Sequence, residues 1–160
     1  MTLVRPATHL DEVAALWESL VRHHYEVNPA IGRQAPPVGP EASWAGRRRQ
    51  YEAWSAEPGW ILVVADCDGA IRGYAAARVT ESISAWDFGA RIGRLESLAV
   101  EPGARGHGLG TALTDAVRAH WQGLGVRFAT VSVIAGNDAA QRFYARLGAV
   151  EFTRTSIFGV

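Results

Sequence analysis

The stretch LESLAVEPGARGHGLGTAL, Leu95 to Leu113, decides the fold. It reads as an apolar strand, a turn at Pro102 and Gly103, and the first turn of a helix, with Gly106, Gly108 and Gly110 crowded into the junction. Glycines this close together let the backbone bend tightly and aim several N–H groups at one point, where no side chain obstructs a ligand. A helix N-terminus adds its partial positive charge, so the junction favours an anion such as a pyrophosphate.

Three phosphate-binding readings compete for this loop. The dinucleotide fingerprint requires G-x-G-x-x-G in an early strand-helix-strand unit, whereas the loop reads G-x-G-x-G and lies about two thirds of the way along the chain. A nucleoside-triphosphate loop requires a lysine, and all sixteen basic residues are arginine. A glycine-rich approach to a helix without any ligand is the structural alternative.

Forward of the loop, Leu109, Leu113, Val117 and Trp121 form one helical stripe, predicting a helix to about Gln122. Val126 to Ile134 reads as a strand rich in β-branched residues. Asn137 caps a further helix with apolar positions Ala140, Phe143, Tyr144 and Leu147, Gly148 suits its C-terminal turn, and Glu151 to Phe158 reads as a last strand.

Backward of the loop, Arg94 to Val100 is a strand, and Trp60 to Asp66 with Ala70 to Arg78 form a hairpin about Asp68-Gly69. Ser43 is read as the cap of a helix carrying Trp44, Tyr51 and Trp54, with Arg47, Arg48 and Arg49 as its solvated face. Pro29 to Pro40 has four prolines and two glycines and reads as a loop or mobile lid. Thr8 with Asp11 resembles a capping box for a helix whose apolar face is Leu10, Val13, Ala14, Trp17, Leu20, Val21 and His24, after a short strand from Thr2 to Pro6. The order β-α-α-β-β-β-α-β-α-β predicts an α+β fold: a mixed sheet with helices on its faces, formed by residues 1–160 as a single domain.

Composition narrows the chemistry. With 48% hydrophobic and 20% charged residues and zero formal net charge, the chain reads as an ordinary soluble globular protein and not as a nucleic-acid binder. The absence of lysine excludes Schiff-base catalysis. Cys67 is the sole cysteine, so neither an intramolecular disulfide nor a cysteine-based zinc cluster can form, and a reducing compartment fits. The longest strongly apolar run, Trp60 to Ala65, is far too short to cross a bilayer, and the N-terminus shows no leader pattern, so the cytoplasm is the expected location. His23 and His24 are adjacent but do not make a metal site, and no metal is expected.

On these residues the chain resembles the GNAT superfamily of N-acetyltransferases, whose acyl-CoA signature is Arg or Gln, two residues, Gly, any residue, then Gly or Ala. Arg105, Gly108 and Gly110 match it, and the likeness extends from the strand Leu95 to Val100 through Asn137, Phe143, Tyr144 and Leu147-Gly148. The resemblance implies a central, mostly antiparallel mixed sheet splayed between its fourth and fifth strands and flanked by about four helices. It implies acetyl-CoA as co-substrate and a primary amine of a small molecule, peptide or protein as acceptor, attacked directly within a ternary complex. A catalytically silent CoA-binding regulatory module is the alternative.

Carried over residue by residue, the resemblance assigns Leu98, Ala99 and Val100 to the pantetheine arm. Arg105, Gly106, His107, Gly108, Leu109, Gly110 and Thr111 then cradle the diphosphate, mainly through backbone N–H groups. Asn137 matches an asparagine that commonly contacts the cofactor, while a plain N-cap serves equally well. Tyr144 matches the tyrosine beside the CoA sulfur, a general acid for the departing thiolate, against which stands a core aromatic. Glu96 is the candidate base for the amine, with Glu81 and His24 in reserve. A route through Cys67 is not expected. The acceptor region is His23 to Trp54; similar proteins commonly form homodimers, and no residue here establishes one.

Overall fold

The computed structural model describes residues 1–159. Five strands lie in the order β1 (Thr2–Pro6), β2 (Ile61–Cys67), β3 (Ala70–Glu81), β4 (Arg91–Val100), β5 (Ala129–Val131). The first four pair antiparallel and β5 joins β4 in parallel, giving the mixed, mostly antiparallel open sheet the sequence implies. Helices α1 (Ala14–Val27), α2 (Pro29–Gln34), α3 (Pro40–Trp54), α4 (Leu109–Gly123) and α5 (Asp138–Arg146) complete the fold.

Both faces of the sheet are covered, which explains why the centres of β2 and β3, Leu62 to Ala65 and Tyr74 to Ala77, are continuously apolar and buried rather than alternating. Leu62, Val64, Tyr74, Ala76 and Ala99 pack under α1 and α3 with Val13, Leu16, Trp17, Val21, Trp44 and Tyr51. The intervening Val63, Ala65, Ala75 and Ala77 face α4, whose stripe of Leu109, Leu113, Val117 and Trp121 is buried as its spacing predicts. The closest approach is at Gly93, where an added Cβ would lie 2.6 Å from the Trp121 ring, so a smooth glycine surface on β4 seats the indole.

Two irregularities in β4 shape the functional region. Ala76 pairs with Ser97 while its neighbour Ala77 pairs with Leu95, so Glu96 is an extra residue on β4, a β-bulge. In consequence Leu95 and Leu98 both pack on the α4 side, three residues apart, which a regular strand cannot do. The second irregularity is that β5 pairs only from Ala129 to Val131, opposite Gly93 to Leu95; beyond the bulge β4 runs on to Val100 without a strand on that side. This is the splay between the fourth and fifth strands.

Several local expectations are corrected. Pro29 to Gln34 is a short helix rather than irregular loop, because Pro29 occupies the first helical turn, where a missing N–H is harmless. Helix α3 begins at Pro40 by the same device, with Gly39 as its N-cap; Ser43 lies inside the helix and accepts a 3.2 Å bond from the Trp17 indole. Thr8 does not form a capping box with Asp11: its amide and hydroxyl bond Glu12, and a 3-10 turn over Leu10–Val13 precedes α1. The strand read from Val126 to Ile134 shrinks to β5, since the splay leaves its second half without a partner. Glu151 to Phe158 forms no strand; Phe152 instead packs its ring on Trp86 and Phe88 of the β3–β4 connection.

Candidate active site

The glycine loop has the conformation its composition requires. Gly106 and Gly108 adopt φ of 81° and 80°, left-handed values that disfavour other residues, and Gly108 is the N-cap of α4. Nothing approaches within 4 Å of where a Cβ on Gly106 or Gly108 would lie, so that side of the loop is open. As residues of the first turn, Leu109, Gly110 and Thr111 present amides with no carbonyl a turn earlier to receive them. The amides of Gly106, His107 and Gly108 likewise have no main-chain acceptor among the described residues. The result is an exposed concavity of donors at a helix N-terminus, suited to an anion.

Gly110 does different work from its neighbours. The Phe143 ring lies 3.3 Å from its hypothetical Cβ, so this glycine lets α5 close on the first turn of α4. The Arg105 side chain folds back to donate a 3.1 Å bond to the Val100 carbonyl, tying the loop to the end of β4. Main-chain amides, not this guanidinium, therefore dominate the surface of the loop.

From the loop the unpaired edge of β4 leads through Val100, Ala99 and Leu98 back to the bulge, where the splay closes at Leu95 and Val131. A cleft of about 370 Å³ reaches this closure and is lined by Leu95, Thr114, Val131 and Tyr144 among others. Tyr144 is largely buried, set edge-on to Phe143 with ring centroids 5.1 Å apart, and burial raises the pKa of its phenol well above the ordinary value. Asn137, buried at the head of α5, accepts a 3.1 Å bond from the Ala140 amide, so its capping role is realised. Behind the loop a separate open cleft of about 520 Å³ holds Cys67, Arg72 and His107, sharing no wall with the Tyr144 cleft.

The bulge presents Glu96 beside Arg78, whose Nε donates to Glu96 Oε1 at 2.7 Å; the same guanidinium reaches Glu57 at 3.3 Å and stacks 4.3 Å above the Trp54 ring. The carboxylate is thus fixed in direction and partly exposed. Of the reserve candidates, Glu81 is exposed at the far end of β3, opposite Arg91. His24 is half-buried in α1, and burial, with help from His23, lowers its pKa and holds it neutral.

Sequence reading missed a polar cluster beneath α3. Tyr51 and Ser97 share a buried hydrogen bond, and the Tyr74 hydroxyl beside them is buried with no partner. The signal was present in the spacing, because Ser97 follows the bulged Glu96 and faces α3, yet it surfaces only once the bulge is known. It also treated Arg47, Arg48 and Arg49 alike, whereas helix phase separates them: Arg47 turns inward over Trp17, and Arg48 and Arg49 stay exposed.

Comparison with known proteins agrees with this geometry. The Acetyltransferase (GNAT) family matches residues 17–149. A mycothiol acetyltransferase of Cellulomonas flavigena is 32% identical over 133 residues, 82% of this chain; the chain thus spans 37% of that relative's length. Among solved structures, a tetramutant of a Bacillus halodurans protein superposes with a TM-score of 0.76 at 21% identity, covering 99% of both chains. The aminoglycoside N-acetyltransferase AAC(6')-Iy, bound to a bisubstrate analogue of CoA and acetylneamine, gives a TM-score of 0.71 at 18% identity over 100% of this chain and 98% of that one. These two likenesses concern the fold, and the family match rests on the sequence. With its open β4 edge running into an amide-lined loop, and a family match spanning that whole region, the chain belongs to the GNAT acetyltransferase family.

Proposed function

We propose that this protein transfers the acetyl group of acetyl-CoA to a primary amine, by direct attack within a ternary complex. The observation that carries this reading is the continuity of the open β4 edge with the loop Gly106 to Thr111: an edge able to receive an extended polar chain ends in a nest able to receive its diphosphate. The residues fit the co-substrate, with Leu98, Ala99 and Val100 offering main-chain groups to the pantetheine arm, and Arg105 through Thr111 with Asn137 framing the remainder. The mycothiol acetyltransferase relative supports the chemistry, and the aminoglycoside acetyltransferase shares the fold.

Bound acetyl-CoA supplies an activated thioester. Main-chain N–H groups on the unpaired edge of β4 polarise a carbonyl placed against them, and being fixed by the sheet they need no reorganisation during the reaction. Glu96, aimed by Arg78, takes the proton that an ammonium must lose before it attacks, directly or through water. Tyr144 lies at the closure of the splay; burial keeps it in the protonated form, so it donates its O–H toward a departing thiolate as negative charge develops there. Cys67 lies in the cleft that does not include Tyr144 and takes no part, and no metal is assigned a role.

The reading further places residues 1–160 as one functional domain, in the cytoplasm. No helix among the described residues is long and apolar enough to cross a membrane. The test is release of free CoA thiol from acetyl-CoA, followed with a panel of primary amines. Acceptor-dependent release supports the enzyme; CoA binding without release by any amine would instead establish the silent binding module.

A further inference from the structure

Arg47 stands apart from every other arginine in the chain. Arg33, Arg47, Arg49, Arg142 and Arg146 make neither an ion pair nor a hydrogen bond among the described residues, and of these Arg47 alone is not exposed. Its neighbour Arg48 is satisfied by Asp11 and Glu52 at 3.3 and 3.6 Å. Arg78, the other cation on this face, is shared between Glu57 and Glu96. The Arg47 guanidinium lies instead over three aromatic rings, 4.4 Å from the Trp17 centroid, 5.6 Å from Tyr51 and 5.8 Å from Trp54. Ring faces stabilise a cation but leave its in-plane N–H donors unused.

These unused donors belong to a group built for planar recognition. Guanidinium binds a carboxylate through two parallel hydrogen bonds, and partial burial among indole rings strengthens such a pair by excluding water. The surroundings hold a complementary charge. Tyr51, under Arg47, bonds Ser97, and the next residue along β4 is Glu96; the charges of Arg47 and Glu96 both bear on the Tyr51 hydroxyl, with opposite effect. Trp54 joins the two sites, with Arg47 on its ring and Arg78, the partner of Glu96, stacked 4.3 Å away. Arg47, Trp54 and Glu96 each retain some surface.

We infer that Arg47 is the specificity residue of the acceptor site and that the acceptor is an aminocarboxylate, its carboxylate held by Arg47 and its amine turned toward Glu96. The inference rests on the acetyl-transfer reading and adds the substrate class. It separates this chain from an acetyltransferase for polycationic amines, for which an unpaired arginine at the acceptor site is repulsive.

The experiment compares β-alanine, 4-aminobutyrate and L-alanine, each against its own primary carboxamide, in wild-type protein and in the Arg47→Gln and Arg47→Lys variants. Steady-state turnover is read alongside tryptophan fluorescence titration of the same compounds in the presence of CoA. The expected result is a preference for at least one carboxylate over its carboxamide of about 10-fold or more in kcat/KM. Arg47→Gln should collapse that preference mainly through a KM raised about 10- to 100-fold, with kcat changed far less, and Arg47→Lys should recover part of it. Carboxylate and carboxamide used or bound alike by the wild type would overturn the inference. So would an equal loss of both in Arg47→Gln, which marks a packing role over Trp17. Should no amine be acetylated while the carboxylates still bind through Arg47, the transfer reading fails and the recognition site stands.

Discussion

Tyr144 is the residue on which chemistry and burial meet. Its hydroxyl sits in a largely buried position that favours the neutral phenol, and the proposed donation to a leaving thiolate needs that form. Tyr144→Phe should keep acetyl-CoA affinity and lower turnover on the order of 100-fold, the scale of general acid catalysis; unchanged turnover would leave it a packing aromatic. Burial raises the pKa of Tyr51, Tyr74 and Tyr144 alike, foremost by desolvation. The sign follows directly: stability is intact below about pH 10, where both states hold the protons. At higher pH the unfolded chain releases protons that the folded chain keeps, so stability falls by about 1.4 kcal/mol per pH unit for each such tyrosine. Chemical denaturation at pH 9 and pH 11 measures the slope, and Tyr74→Phe should flatten it by removing one of the titrating phenols. Tyr144 was visible in the sequence through a motif. Arg47 was not, since three consecutive arginines have the same composition whichever one the helix turns inward.

At the scale of elements, the proposed function depends on β4 being imperfect. The bulge at Glu96 re-aims the carboxylate, and the early end of β5 leaves the strand edge beyond it open. The connection after β5 packs closely on the end of α1. Gly136 adopts φ of 90°, and a Cβ there would stand 2.2 Å from the Val27 carbonyl at the end of α1. Gly136→Ala should therefore destabilise the protein by about 2 kcal/mol or more, from backbone strain together with overpacking. Gly108→Ala strains only the left-handed cap of the loop, about 1–2 kcal/mol, and meets no neighbour. Thermal unfolding of the two variants distinguishes them, and a Gly136→Ala protein as stable as the parent would refute the close packing of α1 on this loop. Helices α1 and α4 were legible from periodicity, α5 from periodicity and the Asn137 cap, and the hairpin from its Asp68-Gly69 turn. The helix at Pro29–Gln34 was hidden because prolines that start a helix look the same in sequence as prolines that prevent one. The strand read over Glu151 to Phe158 has the apolar pattern but no neighbour to pair with, and pairing is a property no single segment carries.

For the molecule as a whole, a sheet buried on both faces supports a site built from what the sheet leaves unpaired. The proposed loop and Tyr144 could be named from sequence because they stand in one contiguous stretch from Leu95 to Gly148; the proposed acceptor face draws on α1, α3, β3 and β4, which only the fold brings together. Binding to the folded state alone stabilises it, so acetyl-CoA at about 100 times its dissociation constant should add about 2.7 kcal/mol and raise the melting temperature. The most direct test of the central claim is calorimetric titration of acetyl-CoA into the wild-type protein and into Gly108→Ala. Saturable binding at one site per chain, weakened in the variant, is the result expected of an amide-lined loop at the head of α4. Absence of binding to the wild type, by heat and by thermal shift together, would contradict it.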